Sequence, residues 1–250
     1  MLYAFGSRLF EFVFRLLGVR LIVQGVEHLP KSGPGVIASN HIGYLDFAFV
    51  MLAPPRPRRP VRFLARSEFF ERTILGFLLR RLGQIPVDVH GDPMAAAQNA
   101  RRALERGELI GMHPEGTISP SFVVRRAKSG AVRLAEGAGA PLIPAGIWGS
   151  QRIMTKWRKV KLPPRGITVI VRYGEPFTPT GRTAMARTKE LMERITGLVE
   201  QCQQEYPDVP APDDAWWQPA HLSGSALTPE QAEKRLTEQD QLRKARRTSP

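Results

Sequence analysis

His41 and Asp46 stand five positions apart in the run Ser39-Asn40-His41-Ile42-Gly43-Tyr44-Leu45-Asp46. A neutral imidazole removes a proton from a hydroxyl near neutral pH. A carboxylate on its other ring nitrogen fixes the tautomer and stabilises the imidazolium that forms. The pair is a triad without its own nucleophile, so the attacking hydroxyl must come from the substrate. The spacing also arises by accident: with 5 His and seven Asp in 250 residues, roughly one sequence of this composition in seven contains it. Asp46 has a second reading, as the cap of a following helix. On one continuous helix the two side chains would point roughly 140° apart. Pairing them therefore requires a bend, and Gly43 offers a place for it.

The flanking runs indicate what positions the pair. Gly35-Val36-Ile37-Ala38 leads in as a short buried strand, and Phe47-Ala48-Phe49-Val50-Met51-Leu52 leads out as the start of a helix. A second strand over 108–112 ends in a second tight turn, His113-Pro114-Glu115-Gly116-Thr117. Further strands are predicted at 20–25, 61–65, 84–87, 141–148 and 167–173. Helices are predicted at 69–81, 93–106, 128–137 and 183–204, with Asp92 as the N-cap of the second. Strands alternating with helices indicate an α/β fold, a mixed, largely parallel sheet flanked by helices. Sites in such sheets gather at the carboxyl ends of strands, where both turns fall.

The formal net charge of +13 implies an anionic partner: a phospholipid surface, an acidic substrate or nucleic acid. The single Cys202 excludes an intrachain disulfide and a cysteine-based zinc site. No zinc, RNP or helix-turn-helix signature appears, so nucleic acid is not the expected partner. Residues 1–19 read MLYAFGSRLFEFVFRLLGV, apolar with Arg8, Glu11 and Arg15 at helical spacing. No run of about 18 uncharged apolar residues exists there, so the segment does not read as a spanning helix. It fits an amphipathic helix at a membrane interface, or an ordinary helix covering the core. Residues 20–206 read as the main domain. Residues 207–250 shift to Pro, Asp, Gln and Ser, carry the isolated Trp216-Trp217, and end in a charged helix from Thr228-Pro229-Glu230. Their composition predicts a poorly packed tail.

Four stretches occur in a telling order: SNHIGYLDF at 39–47, ARSEFF…GQIPVD at 65–88, HPEGTIS at 113–119 and PLIPAGIWG at 141–149. Together they resemble the four sequence blocks of the glycerolipid acyltransferase family, whose bacterial members include the 1-acyl-sn-glycerol-3-phosphate acyltransferases. The resemblance implies that His41 is the general base and Asp46 its orienting partner. It implies that Glu115, Gly116 and Thr117 bind the acyl acceptor and shape the site, and that Pro144 lies on the donor's side. It implies transfer of a fatty acyl group from acyl-CoA or acyl carrier protein to a lipid hydroxyl, without metal or redox cofactor. A peripheral place on the cytoplasmic face of the cell membrane, on anionic lipid, follows from the same likeness. Backbone N–H groups around Gly43 or Gly116 are candidate oxyanion donors.

The chain departs from the family at two points. Its third block usually continues Glu-Gly-Thr-Arg-Ser, whereas here Ile118 takes the arginine's place. Its second block usually ends in an arginine after the Asp, whereas Asp88 is followed by Val89 and His90. Arg66, His90, Arg125, Arg126 and Lys128 are nearby in sequence and are candidates to replace the two phosphate donors. Arg125 and Arg126 equally read as a solvated surface pair. Lys128-Ser129-Gly130 matches the family's lysine-x-glycine after the third block. A glycolipid or other lipid acceptor, hydrolysis of the thioester, and non-catalytic binding to anionic membrane are the competing functions.

Overall fold

The computed structural model describes residues 2–53, 59–88, 93–158, 165–211 and 214–248. Seven strands are present among them: β1 (Arg20–Gln24), β2 (Gly35–Ser39), β3 (Val61–Arg66), β4 (Ile85–Val87), β5 (Leu109–Met112), β6 (Leu142–Trp148) and β7 (Thr168–Tyr173). They form one sheet in the order β1-β7-β6-β2-β5-β3-β4. Only β6 and β7 run antiparallel; every other neighbouring pair is parallel. This is the mixed, largely parallel α/β sheet that the alternation of elements predicts. Every residue of β2 and of β6 is buried. Continuous apolar runs of this kind suit strands covered on both faces, where alternation would place polar groups in the core.

The helices are α1 (Leu2–Leu16), α2 (Asp46–Leu52), α3 (Ser67–Glu71), α4 (Thr73–Arg81), α5 (Pro93–Glu105), α6 (Gly130–Gly137), α7 (Ala184–Gln204) and α8 (Pro229–Thr248). Thr183 caps α7, its side chain accepting from Ala186 N at 3.1 Å. The predicted N-cap Asp92 lies outside the described residues. The single helix expected over 69–81 is two. The chain turns extended at Arg72, with φ −73° and ψ 126°. The apolar spacing continues across this break, so periodicity alone does not reveal it. Two contacts permit it: Arg80 Nη1 donates to Phe70 O at 2.6 Å, and Gly76 backs directly onto that carbonyl, where a Cβ would come within 2.1 Å.

The N-terminal segment folds as the helix α1. One side of α1 covers the core: Phe14 stacks on Phe49 with centroids 4.4 Å apart, and Tyr3 Oη accepts from Val61 N. The other side leaves Leu9, Phe12, Val13 and Leu16 exposed, with Phe12 at 59% and Leu16 at 61%. None of the described helices is long and apolar enough to cross a membrane.

The segment after residue 206 is better packed than its composition predicts. Trp217 is fully buried, and its carbonyl accepts from Gln151 Nε2 at 3.1 Å. Asp208 accepts from Thr168 N and Oγ1 and pairs with Arg152. In α8, Ala232 and Leu236 are buried, and Glu233 pairs with Arg125 at 2.7 Å. Averaged polarity hides these anchors, because one indole buries as much surface as several small apolar residues.

Replacing Trp217 by Ala should therefore cost about 3–5 kcal/mol. Thermal unfolding of the full chain should show a midpoint on the order of 10 °C lower. An unchanged midpoint would mean that the C-terminal segment contributes little to the fold.

Candidate active site

β2 lies between β5 and β6, all three running in the same direction. The turns that leave their carboxyl ends therefore emerge side by side. The first is His41–Asp46, the second starts at His113, and the third is a loop from Gly149 that the sequence does not mark as functional. Asn40 pins the first to the third strand: its Nδ2 donates to Ile147 O at 3.0 Å and its Oδ1 accepts from Ile147 N at 2.8 Å.

His41 Nδ1 lies 2.9 Å from Asp46 Oδ2. The same oxygen accepts from Ile42 N at 2.7 Å and Gly43 N at 2.9 Å. The other oxygen accepts from Ser150 Oγ at 2.5 Å. Asp46 thus turns back from the first turn of α2 and does not cap it; no side-chain cap bond is present at that helix start. Gly43 is needed for room: a Cβ there would sit 3.1 Å from both Ser150 O and Met154 O. The Asp46 side chain is completely buried. Burial alone would raise its carboxyl, but the hydrogen bond and charge of His41, then His113 and Ser150, hold it below the usual carboxylate range. An ionised carboxylate only accepts, so Nδ1 of His41 carries the proton and Nε2 is the basic atom. The His41 side chain is 20% exposed.

The second turn packs against the first. The His113 ring stacks on that of His41, centroids 4.1 Å apart and planes within 4°. His113 Nδ1 lies 3.1 Å from Asn40 O, an acceptor, and so donates to it. Burial, reinforced by the neighbouring His41, lowers the His113 ring to about 3, which leaves it neutral. The Glu115 carboxyl accepts from His41 N at 2.9 Å and Arg125 N at 3.2 Å, tying the two turns together. Burial pushes it up to about 8, against the pull of those two amides and of Arg125. Ser119 N adds a further link, donating to His41 O at 2.7 Å. The Gly43 amide is engaged by Asp46, and the Gly116 amide donates to His113 O at 3.0 Å. These two amides are therefore already engaged within their turns.

The third loop supplies what sequence reasoning misses. Besides Ser150 on Asp46, Met154 O accepts from Tyr44 N at 3.0 Å, and Thr155 Oγ1 donates to Ile42 O at 2.7 Å. Lys156 Nζ reaches Thr117 Oγ1 at 3.1 Å. The available signal is a small polar residue, Ser150, two positions after the end of the buried strand β6.

The replacement cations fall in different places. Arg125 turns its guanidinium to Glu233 on α8, and Arg66 faces Glu68 at 3.8 Å. Arg126 and Lys128 are exposed; Lys128 is tied to the second turn through its backbone, N to Pro114 O at 3.0 Å. His90 and Val89 lie outside the described residues. Ile118 is 4% exposed, an apolar core contact. Among the described residues no group of three or more His, Cys, Asp and Glu side chains is placed to hold a metal ion.

Comparison with known proteins bears on this geometry. A 1-acyl-sn-glycerol-3-phosphate acyltransferase of Bacillus subtilis (strain 168) is 27% identical over 210 residues, covering 81% of this chain and 100% of that protein. The chloroplastic 1-acyl-sn-glycerol-3-phosphate acyltransferase BAT2 of Brassica napus is 29% identical over 136 residues, 53% of this chain, which spans only 38% of that longer protein. The crystal structure of the 1-acyl-sn-glycerophosphate (LPA) acyltransferase PlsC from Thermotoga maritima superposes with a TM-score of 0.69 at 23% identity. It covers 83% of this chain and 80% of its own, and shares the fold. Residues 20–148 match the family model described as Acyltransferase. That span is more than half the chain and contains both turns built around His41, so the chain belongs to the acyltransferase family.

Proposed function

We propose that this acyltransferase moves a fatty acyl group from a thioester, acyl-CoA or acyl carrier protein, to the hydroxyl of a lysophospholipid. 1-Acylglycerol-3-phosphate is the first acceptor to test, because the relatives' names specify it. The reading places the enzyme in phospholipid biosynthesis. The observation that carries it is the His41–Asp46 contact, an oriented base with no serine or cysteine nucleophile bonded to it among the contacts of the described residues.

In this reading the acceptor oxygen attacks the thioester carbon while His41 Nε2 takes the hydroxyl proton. The carbonyl electrons move onto oxygen and then return, and the carbon–sulfur bond breaks. The thiolate leaves and recovers the proton from His41, giving an ester and a free thiol. Asp46 stabilises the transient imidazolium. Thiolate is a good leaving group, so the step calls for no metal and no redox cofactor. The neutral His113 stacked on His41 adds no charge to oppose protonation of the base.

The same reading places the protein peripherally on the cytoplasmic face of the membrane. Its support is the exposed apolar set on α1 together with Ile74 and Phe77 on the neighbouring α4, flanked by Arg8, Arg15, Arg72 and Arg80. Such a surface enters the lipid interface with its cations at anionic headgroups. A row of rings, Phe10, Phe47, Phe63 and His113, leads from α1 to His41 in steps of 5.9, 6.3, 5.2 and 4.1 Å. A glycolipid or other phosphate-free acceptor is the second reading, favoured by the buried Ile118.

His41→Ala should abolish transfer, by about 10²–10⁴-fold or more, in a protein that stays folded. Asp46→Asn should lower kcat by on the order of 10⁴-fold through the wrong tautomer. Labelled acyl-CoA with a panel of lysolipids, read by mass spectrometry of the product, checks both. Retained transfer in folded His41→Ala protein would sink the mechanism. For the membrane surface, Phe12→Asp with Leu16→Asp should weaken binding to phosphatidylglycerol vesicles at least roughly 10-fold. Unchanged vesicle binding at an unchanged melting temperature would place the docking face elsewhere.

A further inference from the structure

We propose that Ser150 is a positioning residue for acyl transfer: its hydroxyl holds the second oxygen of Asp46, which fixes the carboxylate against His41 and draws off part of its charge, so that the base gives back the proton it takes. This role rests on the acyl-transfer reading. Ser150 itself lies beyond residues 20–148, the span that the family model matches.

The two carboxylate oxygens of Asp46 are unequally served. Oδ2 accepts from His41 Nδ1, Ile42 N and Gly43 N, all within its own turn. Oδ1 accepts from Ser150 Oγ, its one hydrogen bond among the described residues. The side chain is completely buried, so bulk water does not replace a lost donor. The terminal torsion of an aspartate is soft, and bonds at both oxygens are what stop the carboxylate from turning. The backbone delivers the hydroxyl to this place. β6 ends at Trp148, and Gly149 then takes φ +96°, in the left-handed region. Space demands glycine there as well: a Cβ would come within 2.2 Å of Thr168 O and 2.7 Å of Tyr206 Oη. Ser150–Arg152 follows as a single 3₁₀ turn. It is closed by Arg152 N on Gly149 O at 3.2 Å and Ile153 N on Ser150 O at 3.0 Å. The two residues after Ser150 are held by the C-terminal segment, Gln151 by the Trp217 carbonyl and Arg152 by Asp208.

The same bond sets the strength of the base. Each donor on a carboxylate stabilises its charged form and weakens its pull on a neighbouring proton. Ser150 is one of the groups that hold Asp46 below the usual carboxylate range, after His41 and His113. With one donor fewer, the carboxylate would hold the His41 imidazolium more tightly, and the proton would return to the departing thiolate less readily. The other ionisable groups around the pair are His113 and Glu115 in the turn after β5, Arg125 beside Glu115, and Lys156 further along the loop that carries Ser150. All of them remain when the hydroxyl is removed, so a changed His41 titration reads the Ser150 bond.

The test compares the full chain with its Ser150→Ala, Ser150→Cys and Ser150→Thr variants. Transfer from labelled acyl-CoA gives kcat and KM, NMR of histidine-labelled protein gives the His41 titration, and thermal unfolding checks the fold. Ser150→Ala should lower kcat roughly 10-fold, as loss of a charge-assisted hydrogen bond does, with KM little changed. Its His41 ring should titrate about half a pH unit or more above that of the wild type. Transfer needs a bare Nε2, so the rising limb of the pH–rate profile should move to higher pH with it. Ser150→Cys, a weak donor, should fall between the two, and Ser150→Thr, which keeps the hydroxyl, should restore most of both properties. An unchanged kcat and an unchanged His41 titration in Ser150→Ala or Ser150→Cys would overturn the proposal. So would a kcat that falls only in step with the melting temperature while His41 titrates as in the wild type, because packing alone would then be at work. Wild-type protein that transfers no acyl group, yet shows the His41 shift when the hydroxyl is removed, would overturn the acyl-transfer reading and leave the Ser150 bond as the control on His41.

Discussion

A carboxylate with no exposure to water is the constraint on which the site depends. Asp46 is stable as an anion only because four donors converge on it: His41 Nδ1, Ile42 N, Gly43 N and Ser150 Oγ. Losing partners from a buried charge costs several kcal/mol, far more than an exposed ion pair is worth. The donors come from the ends of two neighbouring strands, so the arrangement exists only when β2 and β6 lie side by side in register. Sheet topology and the geometry of the His41–Asp46 pair are here one requirement.

The remaining contacts brace that centre from three directions. Asn40 locks β2 to β6 immediately before His41. Glu115 and the His113 ring fix the position of His41 from β5. The C-terminal segment grips the third loop through Gln151, Arg152, Trp157 and Arg158. A segment that looks dispensable in composition therefore belongs mechanically to the site. It stands behind the loop that holds Asp46 through Ser150.

Much of this was legible in the sequence, and what was not has common physical causes. Buried strands announce themselves by unbroken apolar runs, so the sheet and the two turns at 41–46 and 113–117 were readable, as was the pairing of His41 with Asp46. Ser150, Thr155 and Lys156 were not. Each is an ordinary polar residue whose role arises from contact with a turn more than 100 positions earlier in two cases, and with Thr117 in the third. The break at Arg72 was hidden because helical spacing runs through it. The packing of the tail is hidden because averaging over forty residues dilutes one buried indole, Trp217. Arg125 was a plausible phosphate ligand by proximity, but an acidic partner on a helix more than 100 positions later captures it.

Base catalysis at this site requires one protonation pattern of the His41 ring. Long-range ¹H–¹⁵N correlation of histidine-labelled protein, at a pH where His41 is neutral, reads it directly. The predicted result is a His41 proton on Nδ1, shared with Asp46, and a bare Nε2 facing the acceptor. A proton on Nε2 would leave no base where the acceptor hydroxyl must be activated and would contradict the account.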